Sequence, residues 1–205
     1  MIRNIVFDMG QVLIEWNPDL LIRRLDAPEE DVPLLRKAVF GSVEWVQLDR
    51  GTISQGDALA AMCRELPERL HAAAGELVRG WWRRPLVPVP GMEELLEELK
   101  GRGYGIYLLS NASSQLHDYF HRIPGSRCFD GLVVSADWKL LKPQHEIYET
   151  LFREYALKPE ECFFIDDLSL NIEGARYTGM DGTVFDGDMG RLRRALRAAG
   201  VPVRP

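Results

Sequence analysis

The chain has 205 residues, 46% hydrophobic and 27% charged, with 12 Pro and 18 Gly, which describes a folded globular protein with its own core and excludes a disordered or fibrous chain. Its 31 acidic residues outnumber its 25 basic ones, and a formal net charge of −6 leaves no overall positive field for a nucleic-acid backbone. The three cysteines, Cys63, Cys128 and Cys162, are widely spaced with no CxxC or Cys/His grouping, which excludes a disulfide framework and a patterned zinc site.

Residues Ile2–Phe7 form a short branched, apolar run that predicts a buried strand ending in Asp8. The strand begins without the apolar segment of a signal peptide, and no later stretch approaches a membrane span, so a cytoplasmic protein with no membrane partner is expected. A monomer or weak homodimer is the expected state. Residues 15–88 then carry no convincing strand. After Asn17-Pro18, helices are predicted over Glu29–Phe40 and Glu68–Trp82, and between them Leu59, Met62, Cys63 and Leu66 form a stripe behind the capping pattern Ser54-x-x-Asp57. The exit, Pro85 to Gly91 with further prolines at Pro88 and Pro90, predicts a stiff extended linker.

From there strands and helices alternate. Met92, Leu95, Leu96 and Leu99 recur at helical spacing behind Glu93 and Glu94, with Gly101 at the end, and strands are predicted at Gly105–Leu109 and Leu132–Val134. Ile147, Leu151 and Tyr155 mark another helix, and Cys162–Ile165 and Thr183–Phe185 the last strands. Parallel strands need crossover connections, so this order predicts an α/β protein: a Rossmann-like, five-stranded parallel sheet flanked by helices, with an inserted all-helical cap. The expected division is a core of residues 1–14 plus 89–205 and a cap of residues 15–88.

The polar residues at the strand ends carry the chemistry. The first strand runs into Asp8, the second into Ser110-Asn111, the third into Ser135 and the fourth into Asp166-Asp167. In an open α/β sheet the carboxyl ends of the strands meet in one crevice, which gathers these groups from distant parts of the chain. Three carboxylates there repel one another unless a cation joins them, and Mg²⁺ takes oxygen ligands of this kind. Lys142, in the loop after the third strand, can neutralise a phosphate and an adjacent Asp. Together these groups describe phosphoryl transfer with Asp8 as a nucleophile. Individually each has a plainer reading: Asp8 as a turn residue, Asp166-Asp167 as a helix N-cap pair, Lys142 as a solvated lysine, Ser110 as a cap, Gly10 as a tight-turn glycine.

The sequences Asp8-Met9-Gly10-Gln11-Val12, Leu109-Ser110-Asn111, Lys142-Pro143 and Phe164-Ile165-Asp166-Asp167, with Asn171 through Ala175 following, resemble the four ordered motifs of the haloacid dehalogenase superfamily. The resemblance covers the whole chain and puts residues 15–88 in the place of that superfamily's C1-type helical cap. The Asp-x-Gly-x-Val form, the Ser-Asn pair and Asp49-Arg50-Gly51-x-Ile53-Ser54 are similar to the subgroup that includes bacterial α-D-glucose-1-phosphate phosphatase. The resemblance implies a Mg²⁺-dependent phosphatase of a small phosphorylated metabolite, with a sugar 1-phosphate among the candidates, working through an aspartyl-phosphate. It implies Asp8 as nucleophile and metal ligand, with the Gly10 carbonyl and Asp167 as further ligands and Asp166 acting mainly through a metal-bound water. Ser110 and the backbone or side chain of Asn111 would hold phosphoryl oxygens, Lys142 would bridge nucleophile and phosphate, and Asn171 would lie behind them.

One departure stands out. Most phosphatases of the superfamily carry a second Asp two positions after the nucleophile as acid and base, and this chain has Gly10. General acid–base catalysis contributes about 10²–10⁴-fold, so its loss predicts a preference for anomeric or acyl phosphates over alkyl phosphates such as glucose 6-phosphate. The resemblance leaves two alternatives, an idle phosphate-binding or regulatory module and a metal-independent 2-haloacid dehalogenase, and the Asp166-Asp167 pair weighs against the second. Trp81-Trp82-Arg83-Arg84 reads as packing within the insertion before it reads as substrate recognition, Trp16, Trp45, Asp49 and Arg50 are placed at the contact between insertion and core, and His117, His121 and His145 have no metal-ligand spacing.

Overall fold

The computed structural model describes residues 1–205. Five strands, β1 (Asn4–Phe7), β2 (Gly105–Ser110), β3 (Gly131–Val134), β4 (Cys162–Asp166) and β5 (Asp181–Val184), form one sheet in the order β3-β2-β1-β4-β5. All neighbouring pairs are parallel. Side chains alternate across the sheet and divide the core in two. Ile5, Phe7, Ile106, Leu108, Phe163 and Ile165 face the larger apolar cluster, whereas Val6, Leu109, Val133 and Phe164 face the smaller one. β4 is buried along its whole length, as a central strand covered on both faces must be.

After β1 come α1 (Pro18–Arg23), α2 (Val32–Leu35), α3 (Val43–Arg50), α4 (Gln55–Arg64) and α5 (His71–Gly80). α6 (Met92–Gly101) leads into β2, α7 (Leu116–Tyr119) precedes β3, and α8 (Ser135–Trp138) and α9 (His145–Glu154) follow it. α10 (Ser169–Tyr177) joins β4 to β5, and α11 (Met189–Ala198) closes the chain. The capping pattern forms as expected, since the Ser54 hydroxyl accepts from the Asp57 amide at 3.1 Å at the start of α4.

Some boundaries differ from the sequence reading for local reasons. The helix expected over residues 29–40 is three short pieces: a 3₁₀ turn at Glu29–Asp31, then α2, then a wide π turn at Arg36–Phe40 that ends at Gly41. Pro28 and Pro33 sit at its beginning, and the Gly41 amide reaches back to the Arg36 carbonyl at 2.9 Å. The helix expected over residues 68–82 is a 3₁₀ turn, α5, and a second 3₁₀ turn at Trp81–Arg83, with the break at Gly80. β5 begins two residues earlier than expected because Asp181 and Gly182, poor strand formers, hide its start.

The helices between β1 and α6 enter and leave side by side. The Glu15 amide donates to the Val87 carbonyl at 2.8 Å, and the Val89 amide donates to the Leu13 carbonyl at 3.0 Å. Met9, Val12, Leu13 and Ile14 carry the larger apolar cluster from the sheet into these helices, where it continues through Leu48, Met62 and Leu77. The insertion therefore shares a core with one face of the sheet. Cys63, Cys128 and Cys162 are all free thiols. No helix is long and apolar enough to cross a membrane.

Candidate active site

The chain runs β1, β2, β3 outward on one side and then crosses to β4 and β5 on the other, so the order reverses between β1 and β4. A crevice opens at the carboxyl end of such a switch point. Asp8 leaves β1 there, with its amide donating to the Ile165 carbonyl at 2.9 Å, and Asp166 is the last residue of β4. Lys142 lies between them, fully enclosed, its Nζ 2.8 Å from Asp8 Oδ1 and 2.6 Å from Asp166 Oδ2.

Asn111 sets that lysine in place. Its Oδ1 accepts from the Lys142 amide at 2.8 Å and its Nδ2 donates to the Lys142 carbonyl at 3.1 Å. Of the two ways the sequence left open for Asn111 to hold a phosphoryl oxygen, the side-chain route is thus taken up by the Lys142 loop, which leaves the backbone amide. Asp166 is equally committed: the Leu168 amide donates to Oδ1 at 2.8 Å, and Asn171 Nδ2 lies 3.0 and 3.1 Å from its two oxygens. Asn171 stands behind Asp166, where the motif placed it. Ser110, at the end of β2, is buried with its residue facing the same crevice.

The cluster carries surplus negative charge. Burial pushes the Asp8 carboxyl above its usual range, with Lys142 opposing and Asp166 adding to the rise. Burial alone would lower the Lys142 ammonium, but Asp8 and Asp166 outweigh it and hold the proton more firmly than usual. Asp167 is pushed up to about 6, first by burial and then by Asp8 and Asp166.

One ligand atom from each of Asp8, Asp166 and Asp167 can be chosen so that all lie within 4.8 Å of one another. Gly10 lines the same crevice, and its carbonyl accepts no backbone hydrogen bond. An all-oxygen donor set with unbalanced carboxylate charge suits a hard divalent cation such as Mg²⁺. Because Asp167 must lose its proton to serve as a ligand, Mg²⁺ affinity should fall as the pH drops through about 6. Equilibrium titration should show binding roughly tenfold weaker at pH 5 than at pH 7.5; affinity independent of pH over this range would exclude Asp167 as a ligand.

Above the cluster lies a cleft of about 200 Å³, closed from the insertion side by an aromatic wall. Trp16 packs edge-on to Trp81 at 4.8 Å between ring centres and lies 5.8 Å from Trp45, and Trp81 meets Tyr119 at 5.3 Å. Trp81 thus packs within the insertion and also lines the cleft, while Trp82 stacks on Tyr119. Arg83 and Arg84 do not reach it. His117 pairs with Asp137 at 2.7 Å and His145 stacks on Tyr177, so neither bears on the cleft.

The sequence placed Asp49 in a segment resembling a phosphatase subgroup and at the contact between insertion and core, and in the structure it also lines the cleft. It does so from the last turn of α3, and burial, then the charge of Asp8, lift its carboxyl to about 8. The Ser113 amide and the Trp45 side chain offset part of that rise.

Two contacts fix this turn to the core. The Ser135 hydroxyl bonds the Asp49 carbonyl and also accepts from the Ala112 amide at 2.9 Å. Gly51, which ends α3 at φ +71, lies so near α8 that an added Cβ would sit 2.2 Å from the Ala136 carbonyl oxygen. Gly51→Ala should therefore cost about 1–3 kcal/mol and lower Tm by several degrees in a thermal melt; an unchanged melting curve would show that this contact is dispensable.

Comparison with known proteins bears on the site as a whole. The family model for haloacid dehalogenase-like hydrolases matches residues 2–179. A sesquiterpene phosphatase from Aspergillus oryzae is 31% identical over 183 residues, covering 86% of each chain. An (S)-2-haloacid dehalogenase from a Pseudomonas strain is 31% identical over 143 residues, 66% of this chain and 61% of that protein. Among solved structures, a family enzyme from Bacteroides thetaiotaomicron in complex with magnesium and inorganic phosphate superposes with a TM-score of 0.66 at 21% identity, covering 94% of this chain and 99% of that one.

Proposed function

The chain belongs to the haloacid dehalogenase-like hydrolases, and from that membership we propose that it is a Mg²⁺-dependent phosphatase of small organic phosphate monoesters. The observation that carries this reading is the enclosed Lys142, 2.8 and 2.6 Å from Asp8 and Asp166, with Asp167 beside them. The phosphatase relative from Aspergillus oryzae supports it.

Asp8 is the nucleophile. Its carboxylate attacks phosphorus in line with the ester bond and becomes an aspartyl-phosphate, which water then hydrolyses. Lys142 holds its proton throughout and neutralises both the nucleophile and the phosphoryl oxygens. The Ser110 hydroxyl and the Asn111 amide donate to those oxygens at the end of β2. Asp8, Asp167 and the Gly10 carbonyl would hold the cation, while Asp166, bonded to Lys142 and Asn171, keeps the lysine in place. Mg²⁺, when bound, supplies neutralisation of the charge that three carboxylates and a phosphate bring together.

Residues 15–88 act as a cap over the core of residues 1–14 plus 89–205, and their aromatic wall excludes water and receives the leaving group. Indole faces favour a leaving group with an apolar face, which an anomeric sugar ring and a hydrocarbon skeleton both present. A sugar 1-phosphate belongs to this class. The reading is tested with p-nitrophenyl phosphate and a panel of sugar, acyl and alkyl phosphates, with Mg²⁺ and then with EDTA. Turnover that EDTA abolishes and Mg²⁺ restores is expected; EDTA-resistant turnover would remove the cation from the mechanism.

The dehalogenase relative favours a second reading, in which Asp8 displaces halide from a 2-haloacid. That chemistry needs no cation, and the three-carboxylate cluster at Asp8, Asp166 and Asp167 weighs against it. Release of chloride from 2-chloropropionate in EDTA would establish it.

A further inference from the structure

An alkoxide leaving group needs a proton, and Gly10 offers none. Resting on the phosphatase reading, we propose that Asp49 of the insertion is the general acid that protonates the leaving oxygen, because it lines the cleft beside Asp8 and is the carboxyl group there that neither Lys142 nor the cation site engages.

The other groups on the cleft wall are unsuited to this role. The Lys142 Nζ is held by two carboxylates at 2.8 and 2.6 Å. The Tyr119 hydroxyl is turned to the Met9 sulfur at 3.6 Å, and burial raises it well above the usual phenol range. Gln11 Oε1 accepts from the Trp16 amide at 3.1 Å, and the Asn111 side chain is taken up by the Lys142 loop. Asp49 enters no ion pair, and no hydrogen bond joins it to Asp8.

Its position matches the requirement. Asp49, Trp45 and Trp81 of the insertion line the same cleft as Asp8, and in-line attack places the leaving group opposite Asp8, where a group on that wall can meet it. The Ser135 and Gly51 contacts fix the last turn of α3 on the core. Burial, the largest influence on this carboxyl, favours its protonated form, which is the form a general acid needs.

The proton balance closes over both steps. As the Asp8 oxygen bonds to phosphorus, the P–O ester bond breaks, and its electron pair takes the Asp49 proton to leave as the alcohol. The Asp49 carboxylate then takes a proton from water as the water oxygen attacks phosphorus. The bond to Asp8 breaks, orthophosphate leaves, and both carboxyl groups return to their starting states. With this acid present, the wild type should hydrolyse alkyl phosphates, and the restriction to activated leaving groups that Gly10 predicts should emerge only when Asp49 is removed.

Asp49→Asn keeps the size and acceptor oxygen of the side chain and removes the acidic proton. In this variant kcat/KM for an alkyl phosphate such as glucose 6-phosphate should fall about 10²–10⁴-fold, while that for p-nitrophenyl phosphate, whose leaving group needs no proton, should stay within about tenfold. Hydrolysis of the aspartyl-phosphate, now without its base, should slow for both substrates and give a burst of p-nitrophenol. An equal fall in kcat/KM for both substrates would assign Asp49 a structural role, and no fall for the alkyl phosphate would dismiss it; either overturns the proposal. A wild-type protein inactive on every phosphate ester overturns the phosphatase reading, and this assignment with it.

Discussion

Asp8→Asn is expected to reduce phosphate ester hydrolysis by on the order of 10⁵-fold or more, equivalent to about 7 kcal/mol of activation free energy. The amide of the variant has the shape of the carboxylate but cannot form the covalent intermediate. The fold should survive, since the backbone bond from residue 8 to Ile165 does not involve the side chain, and Lys142 keeps Asp166 at 2.6 Å. Removing one of the crowded carboxylates also removes a desolvation cost, so Tm should hold or rise slightly. Steady-state assays beside a thermal melt check both halves of the statement. Activity within tenfold of wild type would exclude Asp8 as nucleophile.

Lys142→Met should affect stability and activity together. The methionine fills the same volume but leaves Asp8 and Asp166 buried and unpaired, and breaking a buried charge pair from one side costs about 3–5 kcal/mol. In EDTA the variant should melt well below wild type at pH 8. The sign of its pH dependence comes from Asp8: Lys142 opposes the rise of that carboxyl in the wild type, so without it the folded pKa stands higher still and the variant loses more stability than the wild type as the pH rises. The deficit should therefore shrink toward acidic pH, as the carboxyl groups take up protons. Activity should fall at least 10³-fold, because the charge that stabilises the transferring group is gone. A variant as stable as wild type at pH 8 would mean that the lysine does not neutralise the pair.

The strand ends were readable in the sequence because their signal is local. A run such as Ile5-Val6-Phe7 followed by Asp8, or Phe163-Phe164-Ile165 followed by Asp166, marks both a buried parallel strand and the polar residue it delivers to the crevice. The place of Lys142 followed from its loop after β3. The role of the Asn111 side chain did not, since its partner is 31 residues away and the bond is visible only once β2 and the Lys142 loop are adjacent.

The cleft wall was hidden for a related reason. Trp16 and Trp45 were placed at the contact between insertion and core and Trp81 in packing within the insertion, but the three share no spacing that marks a common wall. Asp49 opens the segment through Ser54 that resembles a phosphatase subgroup and was placed at the contact between insertion and core, but no local rule says which face of that turn meets the active site. The broken helix at residues 29–40 shows the opposite limit: its apolar spacing was helical, and proline placement and the wide turn before Gly41 changed its geometry.

The most direct measurement of the central claim is to trap the intermediate. The protein is mixed with p-nitrophenyl phosphate and Mg²⁺, quenched in acid within the first turnover, and its peptides are mapped by mass spectrometry. One phosphoryl group on the peptide containing Asp8, enriched in Asp49→Asn and absent from Asp8→Asn, is the predicted result. Turnover with no phosphorylated peptide, or with the phosphoryl group on another residue, would contradict it.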